Sequence, residues 1–262
     1  KNPVRTGIQS EKDANDIYSL KQEIGNLDIK LSDVELERLN RMKERAGIDP
    51  ETNIGSVFIE GLLVSKAGQV DGCVELTSYE KILTTVDLQI QLGAKTIIYM
   101  VDSGGGQAFQ NATTAKKLRA MTRSNGVKTI AYVDGCACSA AYMLSCAADE
   151  IVSNPESQSG SIGVLVQLLN NSKKLEKAGI ERTFITAGKS KIPFADDGSF
   201  KPEFISRIQK SVLKYYEYFT SSVVELRDNL TLQDVIDTEA LVFDADEALQ
   251  KGLIDKIMGY DE

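Results

Sequence analysis

Three segments of the chain carry residues that could perform or support acyl transfer. Residues 102–106 hold three consecutive glycines directly after an apolar run, and such a turn lets backbone N–H groups approach a reacting oxygen. Ser139 follows a second apolar run, among small residues at the predicted start of a helix. Lys189 and Lys191 lie in a loop that continues into Ile-Pro-Phe, where apolar surroundings would favour the neutral amine that can accept a serine proton.

Each segment also has a purely structural interpretation. The glycine run fits a tight turn between a strand and a helix. Ser139 fits an ordinary helix N-cap, and a loop lysine is most often a solvated charge. Taken singly, the three segments leave both interpretations open.

The chain contains no histidine, which excludes Ser-His-Asp and Cys-His catalysis and a His-ligated metal within these 262 residues. Among the four cysteines only Cys136 and Cys138 form a closely spaced pair, and the second pair of ligands that a zinc site needs is missing from the sequence. The thiols are thus expected to be reduced and mostly buried. We therefore expect no metal and no organic cofactor. The net charge of −8 also disfavours binding to a nucleic acid backbone.

The predicted elements indicate an α/β fold with a mainly parallel sheet covered by helices. Residues 1–52 are polar and predict an N-terminal helical arm, with a capping-box pattern at 32–35 and a helix end at Gly47. Residues 53–262 form the predicted main domain. Its predicted strands are 56–64, 96–101, 128–133, 150–153 and 182–186, and its predicted helices are 78–92, 108–124, 139–148, 173–178, 203–227 and 244–252.

Two features of the predicted helices and apolar runs bear on partners. The helix over 203–227 carries an aromatic stripe, which is typical of packing or of a subunit interface. No apolar stretch reaches the roughly 18–20 residues that span a bilayer, so we expect no membrane anchor.

The three segments, in this order, resemble the signal peptide peptidase family of serine-lysine peptidases, which has a Clp protease-like, crotonase-related fold. Residues 102–106 (DSGGG) are similar to its N-S-P-G-G turn, and 139–142 (SAAY) to its A-S-G-G-Y-Y nucleophile segment. Residues 159–164 (SGSIGV) and 248–255 (ALQKGLID) match its T-G-S-I-G-V and A-L-x-x-G-L-V-D patterns. The resemblance extends over residues 55–258.

The resemblance implies five site residues: Ser139 as nucleophile, Lys191 as general base, the backbone N–H groups of Gly105 and Ala140 as oxyanion donors, and Ser161 as the residue that orients the lysine. Lys189 becomes the base if the loop is read two residues out of register. This chain departs from the family pattern at Gly104, where proline is usual, and at 140–141, where alanines replace glycines.

Residues 61–64 and 77–80 resemble the phage branch of the family, whose members cut scaffold and capsid proteins during head assembly. The resemblance thus implies an endopeptidase with protein substrates, a homo-oligomeric ring, and a place in the host cytoplasm or prohead. The alternatives are a cytosolic bacterial signal-peptide-peptidase-like enzyme that degrades peptides, a catalytically silent scaffold of the same fold, and a crotonase-like acyl-CoA enzyme.

Overall fold

The computed structural model describes residues 33–195 and 197–260. Within them, eight strands form one sheet and two form a separate hairpin. The sheet strands are β1 (Ile54–Val64), β4 (Thr77–Ser78), β5 (Thr96–Gly106), β6 (Lys128–Cys138), β7 (Glu150–Ser153), β8 (Gln158–Gly160), β9 (Val242–Asp244) and β10 (Lys256–Ile257), and the hairpin strands are β2 (Val70–Asp71) and β3 (Val74–Glu75). The helices are α1 (Asp33–Arg45), α2 (Tyr79–Gln91), α3 (Asn111–Ser124), α4 (Ala140–Ser145), α5 (Ser172–Lys177), α6 (Pro202–Leu226), α7 (Leu232–Ile236) and α8 (Ala245–Gln250).

The main sheet has the strand order β10-β7-β6-β5-β1-β4, and all of these pairs are parallel. β8 pairs with β6 in parallel and with β9 in antiparallel orientation. This architecture confirms the predicted α/β fold with a mainly parallel sheet. None of the helices in the described ranges is both long and apolar enough to cross a membrane.

The central strands are buried on both faces because helices cover them. Ile59, Tyr99 and Val133 each expose 0% of their surface on β1, β5 and β6. α4 is buried along its whole length, which its small and apolar side chains permit, and it packs against β5, β6 and α3. α6 packs against α3 and α4, so one of its faces lies close to the carboxyl ends of the central strands.

Most predicted elements are confirmed, but one predicted strand is wrong and two strands continue past their predicted ends, since β5 ends at Gly106 and β6 at Cys138. β5 continues through the glycines to Gly106, because Gly105 and Gly106 pair with Leu62 and Leu63 of β1. The strand predicted over 182–186 is wrong: those residues are exposed coil. Their β-branched and aromatic residues favour an extended backbone, but the described part of the chain offers them no neighbouring strand to pair with.

The end of the predicted N-terminal arm is tied to the domain. α1 ends at Arg45, and Gly47 has φ 77°, as a helix-terminating glycine requires. Ala46 and Ile48 are buried in the core, and Gln89 Nε2 donates a 2.8 Å hydrogen bond to the Ala46 carbonyl. The rest of the arm, residues 1–32, lies outside the described residues, so the division at residue 52 remains a prediction.

An ion pair between the buried Arg227 and the partly exposed Asp255 fastens residues 251–257 to the sheet. The Arg227 guanidinium donates two 2.8 Å hydrogen bonds to the Asp255 carboxylate, which also accepts the Ile151 N–H of β7 at 2.7 Å. Burial acts to raise the pKa of Asp255, but the hydrogen bonds from Arg227 and Ile151 outweigh it and hold this pKa below its usual range.

Asp255→Asn is expected to lower the free energy of unfolding by about 3 kcal/mol at pH 7, because it leaves a buried guanidinium without its counter-charge. A depressed folded-state pKa contributes stability above the unfolded-state value of about 3.9, and this contribution is lost as pH falls through the folded-state value. The difference between wild type and variant should therefore shrink below pH 4 in urea unfolding. Asp246→Asn, at an exposed position on α8, is the matched control; equal losses in both variants would contradict this account.

Candidate active site

The glycine turn and Ser139 are brought together by the order of the sheet. β5 ends in the glycines, β6 ends just before Ser139, and the two strands are parallel neighbours. Their register shifts after Val101, so that Ser103 lies opposite Ala137. Ligands of open parallel sheets bind outside the carboxyl ends of the strands, and both predicted segments lie at that edge.

Ser139 has an unusual backbone conformation. Its φ and ψ are 53° and −119°, a region that costs a non-glycine residue on the order of 1–3 kcal/mol. Its N–H donates to the Gly160 carbonyl at 2.9 Å, which ties it to β8. The serine occupies the N-cap position of α4, but its side chain makes no capping hydrogen bond. The hydroxyl is thus not used as an N-cap, and the structural interpretation of Ser139 loses its basis.

Gly105 approaches Ser139 so closely that it leaves no room for a side chain. A Cβ at position 105 would lie 2.8 Å from the Ser139 Cβ, 2.9 Å from the Cys138 carbonyl oxygen and 3.0 Å from the Ala140 nitrogen. Its φ of 105° is also strained for any other residue. The glycine turn therefore lies directly against Ser139 and Ala140, and the oxyanion role of the Gly105 and Ala140 N–H groups stays a prediction.

The N–H of Gly105 has a partner within its own turn. It donates a 3.0 Å hydrogen bond to Ser103 Oγ, and the buried Ser103 hydroxyl donates to the Gly61 carbonyl at 2.6 Å. These two bonds fix the turn against β1. For Gly105 to bind an oxyanion, its N–H would have to leave Ser103, whereas the Ala140 N–H at the start of α4 has no hydrogen-bond acceptor among the described residues.

A cavity of about 630 Å³ opens beside Ser139. Its walls come from the glycine turn, the start of α3, the segment after β8, and α6. The lining residues are Gly104, Gly106, Gln107, Ala108, Asn111, Ala112, Ser139, Ala140, Ser161, Gly163, Val164, Leu165, Tyr215, Tyr218, Phe219 and Ala240. This lining contains no Lys, Arg, Asp or Glu.

Ser161 lies in the same cavity wall as Ser139 and shares its backbone strain. Its φ is 54°, and its N–H donates to the Leu241 carbonyl at 2.7 Å. None of the described residues hydrogen-bonds its hydroxyl. Ser161 thus lines the same cavity as Ser139, and its role in orienting the lysine stays a prediction.

Lys191 and Lys189 are not brought to Ser139. Both are exposed, and neither lines the cavity. Their loop belongs to a long segment that leaves large apolar side chains uncovered, including Leu165 at 84% exposure and Ile185 at 96%. The predicted general base is thus separated from the predicted nucleophile in the isolated chain.

The two cysteines that precede Ser139 do not compete with it as nucleophiles. Burial raises the pKa of the Cys138 thiol to about 11, with a further contribution from Cys136. Burial and the nearby Asp102 carboxylate also raise the pKa of Cys136. Both thiols are free and remain protonated near neutral pH, as a mostly buried, reduced pair should.

Sequence reasoning missed two parts of the site. The aromatic stripe on α6 was interpreted as packing or an interface, yet Tyr215, Tyr218 and Phe219 line the cavity. The stripe itself is visible in the sequence, but its direction depends on how α6 packs on α3 and α4. Asn111 also lines the cavity, and a single asparagine near a helix start carries no distinguishing pattern.

Residues 121–262 match peptidase family S49. This region contains Ser139, Ser161 and Lys191 and makes up more than half of the chain. The chain belongs to peptidase family S49. The predicted family is thus confirmed, whereas its phage branch is not decided by this match.

Relatives in this family come from archaea, bacteria and a phage. A Methanocaldococcus jannaschii protein, provisionally named as a protease, is 33% identical over 65% of this chain and 54% of its own length. A protein provisionally named signal peptide peptidase SppA from Enterococcus faecium is 28% identical over 72% of this chain and 54% of its own. Capsid assembly protease C of Escherichia phage lambda is 27% identical over 76% of this chain and 45% of its own. The chain spans about half the length of these relatives.

Among solved structures, a ClpP1 mutant from Listeria monocytogenes aligns with a TM-score of 0.49 and 13% identity, covering 78% of this chain and 91% of that one. A similarity at this level concerns the fold alone.

Gly105→Ala is expected to slow labelling of Ser139 by a fluorophosphonate by about 10²-fold, because the new Cβ would displace the serine or the glycine turn. Gly104→Ala is the matched control, since a Cβ there meets no atom within 4 Å and its φ is ordinary. The control should lose much less. The rates are measured by intact mass on protein with an unchanged thermal unfolding transition, and equal rates in the two variants would contradict the close approach.

Proposed function

We propose that this protein is a serine endopeptidase in which Ser139 attacks the peptide carbonyl and a lysine, Lys191, is the general base. The observation that carries the proposal is the strained backbone of Ser139. Its hydroxyl makes no capping hydrogen bond, and Ser139 and Ala140 both line the cavity. A strained turn from strand to helix that exposes a serine is the arrangement of known hydrolase nucleophiles.

The proposed reaction is acyl transfer. The neutral Lys191 amine takes the proton of Ser139 Oγ, which bonds to the scissile carbonyl carbon, and the carbonyl oxygen becomes an oxyanion. The Ala140 N–H, and Gly105 after it releases Ser103, would stabilise that charge by about 3 kcal/mol each. As the oxyanion collapses, the C–N bond breaks and the lysine gives its proton to the leaving amine. The lysine then takes a proton from water, which attacks the acyl carbon, and returns that proton to Ser139 Oγ as the ester bond breaks and the acid leaves. The proposed chemistry uses no metal or organic cofactor.

For Lys191 to act as the base, its loop must move towards Ser139 from the exposed position that it has in the isolated chain. We propose that self-association provides this placement, because the loop belongs to a segment with exposed apolar side chains such as Leu169 at 81% and Phe184 at 52%. This is the homo-oligomer expected from the sequence, and Ser161 would hold the incoming amine.

The lining of the cavity favours substrates whose side chain next to the scissile bond is uncharged and apolar. Tyr215, Tyr218 and Phe219 form an aromatic wall, and a charged side chain would find no counter-charge on the lining. The same absence of Lys and Arg from the lining disfavours an acyl-CoA enzyme, whose ligand carries phosphates.

Two classes of natural substrate fit this site. The lambda relative is named a capsid assembly protease, and this supports scaffold or capsid proteins as substrates, with the enzyme acting in the host cytoplasm or prohead. The relative provisionally named signal peptide peptidase SppA supports degradation of peptides equally well.

The dyad is tested by intact mass after treatment with a fluorophosphonate near pH 8. Wild type is expected to gain one adduct, Ser139→Ala to gain none, and Lys191→Ala to label on the order of 10²-fold more slowly, because the serine loses its base. Lys189→Ala, two residues away in the same exposed loop, is the matched control and should label as wild type does. If Lys191→Ala labels at the normal rate and Lys189→Ala labels slowly, Lys189 is the general base instead. Wild type that stays unlabelled when assembled would support the silent scaffold instead.

Tyr215→Asp is expected to shift the preference of the enzyme from apolar towards basic side chains in peptide substrates. The relative kcat/KM should change several-fold, since an ion pair at a part-exposed site is worth up to about 1 kcal/mol. Ser211→Asp adds the same charge to α6 one turn earlier, at an exposed position outside the cavity, and should leave the preference unchanged. Identical preferences in the two variants would show that α6 does not contact the substrate.

A further inference from the structure

The side chain of Asn111 connects the start of α3 to the helix that carries the nucleophile. Asn111 is 5% exposed, and its Nδ2 donates a 2.9 Å hydrogen bond to the Ala140 carbonyl oxygen. Ala140 directly follows Ser139, and its N–H is the proposed oxyanion donor. An α3 side chain therefore holds the first residue of α4 from outside that helix.

A second buried side chain, that of Tyr79, holds the residue that follows the glycine turn. The Tyr79 hydroxyl donates a hydrogen bond to the Gln107 carbonyl at 2.5 Å. Tyr79 is 1% exposed, and burial raises its pKa, so the hydroxyl keeps the proton that it donates. Gln107 follows the last glycine of the turn, and its side-chain Oε1 accepts the Ser65 N–H at 2.9 Å.

We propose that Asn111 is a positioning residue for acyl transfer, which fixes the Ser139–Ala140 segment relative to α3 through its hydrogen bond to the Ala140 carbonyl. The inference rests on the proposed peptidase function. Asn111 acts through Ala140 and does not itself take or give a proton.

The need for such a restraint follows from the local backbone. Ser139 is in a strained conformation that persists only when the surrounding structure determines it. Its own N–H is held by Gly160 on the β8 side, and Asn111 supplies the restraint on the α3 side. Without it, the first turn of α4 can relax, and small displacements of reacting groups cost on the order of 10²-fold in rate.

A local packing role is the competing explanation, and the chemistry of Asn111 argues against it. A buried amide costs free energy unless its hydrogen bonds are made, so an apolar residue would fill the same space at lower cost. Asn111 lies in the cavity wall next to Ser139, where a polar group that orients the nucleophile segment is useful.

The test compares Asn111→Leu with Asn125→Leu in the full-length protein. Asn125 is the exposed C-cap residue of the same helix, its Nδ2 donates to the Met121 carbonyl, and it lies outside the cavity, so it undergoes the same change of side chain. The readouts are the thermal unfolding transition, the rate of fluorophosphonate labelling, and kcat and KM separately for one apolar peptide substrate. Asn111→Leu is expected to lose on the order of 10²-fold in kcat and in labelling rate with little change in KM. Asn125→Leu should keep both rates.

Three results would overturn the inference, and a second variant is used if Asn111→Leu does not fold. Equal rates in Asn111→Leu and Asn125→Leu would show that Asn111 only fills space. A raised KM with normal kcat would make it a substrate-binding residue. A wild-type protein that neither labels nor hydrolyses would remove the proposed function and this inference together. If Asn111→Leu does not fold, Asn111→Ala decides: it removes the amide without adding bulk, and a loss in kcat is expected, whereas an unchanged kcat would refute the restraint.

Discussion

The close approach of Gly105 to Ser139 is the contact on which the rest of the site depends. The ends of β5 and β6 come so near that no side chain fits between them, and Ser139 is bent into a left-handed conformation that presents its hydroxyl. Such a conformation must be over-determined by its surroundings. Three features hold Ser139 in this conformation: the parallel pairing of β5 with β6, the hydrogen bond from the Ser139 N–H to the Gly160 carbonyl, and the fully buried α4.

The buried polar side chains around the contact between Gly105 and Ser139 are neutral. Buried hydrogen bonds from Ser103 and Asn111 hold the backbone on either side of the close approach, while the cavity wall itself carries no charged side chain. The restraints are therefore provided by neutral side chains. Charged pairs such as Arg227 with Asp255 lie away from the cavity, where they fasten the end of the chain.

Much of this arrangement is predictable from the sequence. Runs of β-branched residues predict β5 and β6, and a serine among small residues after such a run predicts a buried helix start. Because both strands belong to one parallel sheet, their carboxyl ends meet, which places Ser139 beside Gly105. The continuation of β5 through the glycines was not predicted, since it depends on pairing with β1, a contact between distant parts of the chain.

The remainder of the site depends on tertiary contacts that local patterns do not encode. Asn111 and the tyrosines of α6 reach the cavity only through the packing of α3 and α6 on α4. Lys191 follows from family resemblance, and its loop is exposed in the isolated chain.

The central claim, that the cavity beside Ser139 is a site of acyl transfer, is tested most directly by an experimental structure of the protein inactivated with an apolar peptidyl phosphonate. The account predicts a phosphorus–oxygen bond to Ser139 Oγ, a phosphoryl oxygen at hydrogen-bond distance from the Ala140 N–H, and the apolar side chain against the aromatic wall of α6. A covalent bond to any other residue, or an adduct whose oxygen points away from Ala140, would contradict it.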